Sequence, residues 1–229
     1  MRTLYVTLIG LASCAMLASA DVSSDEASRL NAAASTVREL RASPDKGIPA
    51  DMFKPTDCVA VIPGLKKAAF IVGGEYGKGV VSCRSGQTWS APAFLEMEKG
   101  SAGVQIGGEA VDLVLLVMNR SGLDKLLGDK MTLGTDASVA AGPVGRDAAA
   151  ATDARMTAQI LAYSRAKGVF AGIDISGGSL RADKKANADA YGAAVTARDV
   201  LDSKVMPPAA AAGFLKALGP ETQGTSGRK

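Results

Sequence analysis

Histidine is absent from all 229 residues. That excludes His-based catalytic triads, His-ligated zinc and the usual proton shuttle near neutral pH. Aromatic residues are scarce, at 4%, which argues against the aromatic girdles of a transmembrane barrel. Charge is low as well. The formal net charge is +3, and removing residues 1–20 takes away Arg2 and no acid, leaving +2. A protein held to nucleic acid by bulk charge needs more than that. Beyond residue 20 the most apolar run, residues 111–118, is far short of the roughly 20 residues a helix needs to cross a bilayer.

What the chain does have begins with a leader. Arg2, the apolar residues 4–17 and Ala18-Ser19-Ala20 before Asp21 read as a secretory signal cleaved after Ala20. Leu11-Ala12-Ser13-Cys14 resembles a bacterial lipobox, the alternative in which Cys14 becomes a lipidated N-terminus. The short segment before Cys14 and the apolar residues after it favour ordinary cleavage. Export to an oxidising compartment leaves Cys58 and Cys83 as an even pair, which favours a disulfide. Its loop would add roughly 3 kcal/mol on the chain-entropy model. The alternative is two buried thiols.

Glycine is abundant, at 26 residues, and clusters at the ends of apolar runs. Residues 58–84 show the pattern best: apolar residues 58–62 close at Pro63-Gly64, residues 68–72 end at Gly73-Gly74, and residues 80–83 follow Gly77-Lys78-Gly79. Short β-branched runs between Gly and Pro predict strands joined by tight turns. On that reading a Cys58–Cys83 bond would staple the outer two of three strands. Before this core, Ser23 with Glu26 forms a capping box, and Ala27, Leu30, Ala34, Val37 and Leu40 recur at helical spacing. Residues 23–42 are therefore expected to form a helix packed on the domain, with a membrane-surface helix as the sharper alternative.

Further on, residues 87–97 read as a strand that Pro92 confines to an edge or a bulge. Residues 111–118 read as a buried central strand. Shorter strands are expected at residues 131–133 and 137–141, and a closing meander at residues 160–163, 169–176 and 179–181. Asp183 is placed to cap a helix ending at Gly192, and a small apolar helix follows at residues 209–218. The expected organisation is a signal peptide (1–20), an N-terminal helix and connector (21–56), a core domain (57–203) and a C-terminal helix with a polar tail (204–229). The expected fold class is α+β: a mostly antiparallel, strongly curved or barrel-like sheet of short glycine-bounded strands with flanking helices.

Four stretches together resemble the SYLF domain family: CVAVIPGLKKAAFIVGGEYGKGVVSCR, WSAPAFLEMEKGSAGVQIGGEAVDLVLLVMN, LGTDASVAAGPVGRD and AYSRAKGVFAGIDISGGSLRADKKANADAYG. They run from Cys58 to Gly192, and the AAGPVGR and YSRAKGVFAG elements are the most specific. Members of that family occur as exported bacterial proteins and as the N-terminal module of eukaryotic SH3 adaptors linked to actin and membranes. The resemblance implies phospholipid binding, with phosphoinositide preference in eukaryotic members and actin binding in some fungal ones. An exported bacterial protein would ordinarily meet neither actin nor phosphoinositides, so lipid binding is what carries over.

Lipid headgroups call for cations or backbone N–H donors on phosphate, beside an apolar surface. The candidates are Lys66, Lys67, Arg84, Arg146, Lys184 and Lys185. For each, the plain alternative is a solvated surface charge; for Arg146 it is a salt bridge to Asp147 or Asp153. Gly77-Lys78-Gly79 fails both the phosphate-loop and the dinucleotide-fingerprint spacings. Carboxylates near glycine turns, and Ser164 beside Arg165, specify no reaction. The expectation is a non-catalytic, exported protein that binds anionic phospholipid peripherally, with no cofactor, no metal and no nucleic-acid partner. An envelope protein-interaction scaffold without lipid dependence is the alternative.

Overall fold

The computed structural model describes residues 22–42, 48, 50–68, 72–102, 110–119, 121–124, 130–144, 157–166 and 169–219. Residues 1–21 with Cys14, residue Arg146 and residues 220–229 lie outside the described residues.

Among the described residues ten strands form one sheet. They are β1 (Cys58–Ala68), β2 (Val72–Ser85), β3 (Thr88–Trp89), β4 (Ala93–Ala102), β5 (Ala110–Val117), β6 (Met131–Thr132), β7 (Val139–Ala141), β8 (Ile160–Ala166), β9 (Val169–Gly172) and β10 (Ser179–Ala182). Their order is β6-β10-β4-β2-β1-β5-β8-β7, with β3 beside β2 and β9 beside β8. Every pairing is antiparallel except β7 with β8. The α+β class and the antiparallel character hold. The barrel-like expectation does not, because the path is open: β6 and β7 end it, with two and three residues each, and among the described residues no ladder joins them.

The expectation of three short strands in residues 58–84 is also corrected. β1 runs through Pro63-Gly64 as a bulge, its register shifting between Ile62 and Leu65 against β5. Gly64 takes the left-handed conformation, φ +59°, and its N–H is held 2.9 Å from Asp112 Oδ1. The glycines of Gly77-Lys78-Gly79 mark close approach, not a turn. A Cβ on Gly77 would fall 2.5 Å from Ile62 Cγ2, and one on Gly79 2.3 Å from the Val61 carbonyl oxygen. Cys58 and Cys83 are therefore direct partners on neighbouring strands, fully buried and joined by a disulfide.

Both faces of the sheet are covered, which explains the unbroken apolar runs. In β1, Cys58, Ala60 and Ile62 enter one core and Val59 and Val61 the other. β5 divides in the same way, with Leu113 and Leu115 on one side and Val114 and Leu116 on the opposite side. Helix α1 (Ser24–Ala42) lies on the second face, burying Leu30, Ala33, Ala34, Val37 and Leu40. Its start carries the expected capping box, the Ser23 N–H lying 3.0 Å from Glu26 Oε2. Helices α2 (Ala50–Phe53) and α3 (Ser121–Asp124) are short. Then come α4 (Lys184–Tyr191), α5 (Ala197–Leu201), a 3-10 turn (Ala209–Ala211) and α6 (Ala212–Leu218). The closing meander is interrupted: β10 leaves β8 and β9 and pairs with β4 and β6. Among the described residues no helix is long and apolar enough to cross a membrane.

Candidate functional site

Three walls enclose a cleft of about 580 Å³. One wall is the first half of α1, which contributes Asp25 and Arg29. A second is the β1 bulge with the facing part of β2, contributing Lys66, Tyr76 and Lys78. The third is the start of α4, with Asp183 and Lys185. Each position has a local cause. The bulge swings Pro63 and Gly64 to the cleft edge, the cross-strand register sets Lys66 opposite Tyr76, and Asp183 N-caps α4 by accepting from the Ala186 N–H at 3.1 Å.

Asp183 is the hub. It is 4% exposed, and its Oδ2 lies 3.1 Å from Arg29 Nη1 and 3.0 Å from Lys78 Nζ. One carboxylate thus ties α1, β2 and α4 together. Burial alone would raise its pKa, but the Ala186 N–H, Lys78 and Arg29 outweigh burial and hold the carboxyl below its ordinary range. In turn Asp183 holds the Lys78 ammonium above its usual value. Arg29 also lies over the Phe94 ring, 5.2 Å from its centroid, a geometry that favours the cation.

From Lys78 on β2 the network continues across β4 to β10. Lys78 reaches Glu96 at 3.2 Å, and Arg181 reaches Glu96 at 2.9 Å and Glu98 at 2.8 Å. The Tyr76 hydroxyl donates to Glu96 Oε1 at 3.2 Å. Burial and, next, the Glu96 carboxylate push the Tyr76 phenol up. For Glu96 burial again acts upward, and Arg181 and Lys78 outweigh it to leave the carboxyl lowered.

Of the cations named from sequence, Lys66 and Lys185 line this cleft. Lys66 is exposed and makes no ion pair among the described residues. Lys185 is exposed and pairs with Asp189 on its own helix. Lys184, also exposed, precedes it on α4. The backbone of Lys67 continues β1, and its side chain lies outside the described residues, as does Arg146. Arg84 is not brought to the cleft. It sits eight residues along β2 from Tyr76, roughly 26 Å at the rise of a strand. There its guanidinium donates to the carbonyls of Thr56 (2.8 Å) and Phe53 (2.7 Å) and stacks 4.7 Å from the Trp89 ring centroid.

Sequence reasoning did not find Arg29, Lys78 or Asp183 as members of one site. Lys78 falls in a failed nucleotide motif, and Asp183 reads only as a helix cap. Arg29 and Asp183 are 154 residues apart, and no local pattern signals such a pairing.

The family description "Ysc84: Las17-binding protein actin regulator" matches residues 98–220. LAS seventeen-binding protein 3 of Saccharomyces cerevisiae is 37% identical over 171 residues, covering 72% of this chain and 37% of that protein. Protein YSC84 of the same yeast is 35% identical over 178 residues, 76% of this chain and 38% of that protein. The SH3 domain-containing YSC84-like protein 1 of Mus musculus is 32% identical over 185 residues, 80% of this chain and 54% of that protein. The chain therefore spans about a third to a half of the length of the curated relatives it matches. With the matched profile covering more than half of the chain and its SYLF motifs in order, the chain belongs to the Ysc84 family of SYLF-domain proteins.

Proposed function

We propose that this SYLF domain binds anionic phospholipid at a membrane surface, without covalent chemistry, and that it does so in an exported, envelope-side setting. The observation that carries the reading is the exposed Lys66 at the edge of a cleft also walled by Lys78 and Lys185. A lysine held near an anionic leaflet contributes about 1 kcal/mol, and Lys66 is the cleft lysine not already held by a carboxylate among the described residues. Lys184 adjoins Lys185 at the start of α4 and belongs to the proposed cationic rim. The Cys58–Cys83 disulfide supports the exported setting, since such bonds persist in oxidising compartments.

The names of the relatives speak of protein binding, which favours a second reading as an envelope scaffold independent of lipid. A salt titration separates the two. Binding to anionic vesicles should weaken steeply as ionic strength rises. Lys66→Glu should cost about tenfold or more, since charge reversal removes one attraction and adds one repulsion. Binding that ignores both salt and Lys66→Glu would support the scaffold.

A further inference from the structure

The cleft is not simply basic. Arg29, Lys66, Lys78 and Lys185 line it together with Asp25, Glu26 and Asp183, a net charge of only +1. Arg29 and Lys78 are both bound to Asp183, and Glu26 accepts from the Ser23 hydroxyl and N–H. Two charged groups remain exposed without a partner among the described residues, and they differ in sign: Lys66 on the strand wall and Asp25 on the helix wall. A cation facing an anion across a space of about 580 Å³ suits a ligand larger than phosphate. One end of that ligand must be anionic, and the other must offer hydrogen-bond donors.

We infer that the cleft selects a phosphodiester whose far end carries free hydroxyls, such as a phosphoglycerol headgroup, over a bare phosphomonoester. The inference rests on the lipid-binding reading above and adds the headgroup class. Lys66 takes the phosphate oxygen, and Asp25 accepts from the hydroxyls. A phosphomonoester carries more charge, about −1.5 to −2, so attraction by bulk charge alone would rank it first. The cleft reverses that order, because a monoester leaves Asp25 unsatisfied and places extra negative charge beside Asp25, Glu26 and Asp183.

The test compares vesicles of a neutral carrier lipid containing phosphatidylglycerol or phosphatidic acid at equal mole fraction. Hydrogen bonds to a charged acceptor predict binding to phosphatidylglycerol about tenfold tighter. Asp25→Ala should abolish that preference and leave binding to phosphatidic acid unchanged or stronger, and Lys66→Gln should weaken binding to both lipids. Equal or tighter binding to phosphatidic acid by the unaltered protein would overturn the inference and leave lipid binding standing; binding to neither would remove the lipid reading itself. A soluble arm separates the headgroup from the bilayer. Glycerophosphoglycerol should shift the amide resonances of Gly64, Gly77 and Ala186, and inorganic phosphate should not. Equal shifts with both, or shifts with neither, would overturn recognition of the headgroup hydroxyls.

Discussion

Two glycines show how one substitution can act in opposite directions. At Gly142 an added Cβ would fall 1.9 Å from Tyr163 Cζ, and Tyr163 is fully buried. At Gly213, within α6, nothing lies within 4 Å. Gly142→Ala should therefore cost about 3 kcal/mol, the upper end for overpacking. Gly213→Ala should add about 0.5–1 kcal/mol through helix propensity. Urea unfolding of the two variants checks both signs. Asp183 gives a pH prediction on the same scale. Its carboxyl is held below the ordinary range, so the stability it adds is complete above about pH 4, the unfolded value, and is lost as pH falls through the lower folded value. Thermal midpoints should drop on acidification, and Asp183→Asn, already lacking the charge, should show a shallower drop.

At the level of elements, α1 is pinned to the sheet by a second cluster, in which Arg165 Nη1 lies 2.7 Å from Asp112 Oδ2 and its other amino nitrogen pairs with Glu39. Asp112 also accepts from the Thr36 hydroxyl at 3.1 Å and from the Gly64 N–H. Helix, bulge and central strands thus meet on one carboxylate. Asp112→Ala leaves several donors unmet and should cost about 1–3 kcal/mol. Arg181→Ala, at the exposed end of the outer ladder, should cost no more than about 1 kcal/mol. Chemical denaturation of the two variants tests that ranking. The elements themselves were largely legible in the sequence: the Ser23–Glu26 box, the run of residues 111–118 and the Asp183–Gly192 helix all form where the pattern places them. The Pro63-Gly64 and Gly77-Lys78-Gly79 signals misled for different reasons: Gly64 supplies the left-handed conformation of a bulge inside one strand, and Gly77 and Gly79 leave room for the close approach of β1, neither of which a local pattern separates from a turn.

Over the whole molecule, the open sheet with covered faces and one buried disulfide ties stability to redox state. Reducing Cys58–Cys83 should lower stability by about 3 kcal/mol on the chain-entropy model, read as a fall in thermal midpoint under reductant. The candidate site was only half visible from sequence. Lys66 stands out as a cation beside apolar runs and Lys185 as one at the start of a helix, whereas the Asp183 hub and the acidic wall depend on contacts spanning most of the chain. Family membership rests on the matched profile and on motif order, and the headgroup site in the cleft is the proposal that remains to be tested. The central measurement is flotation of residues 21–229 with neutral vesicles and with vesicles rich in phosphatidylglycerol. Co-flotation with the anionic set alone, lost in Lys66→Glu and kept in the Arg84→Gln variant altered at the far end of β2, is the predicted result. A protein that stays at the bottom of the gradient with both sets would contradict direct lipid binding and turn attention to a protein partner.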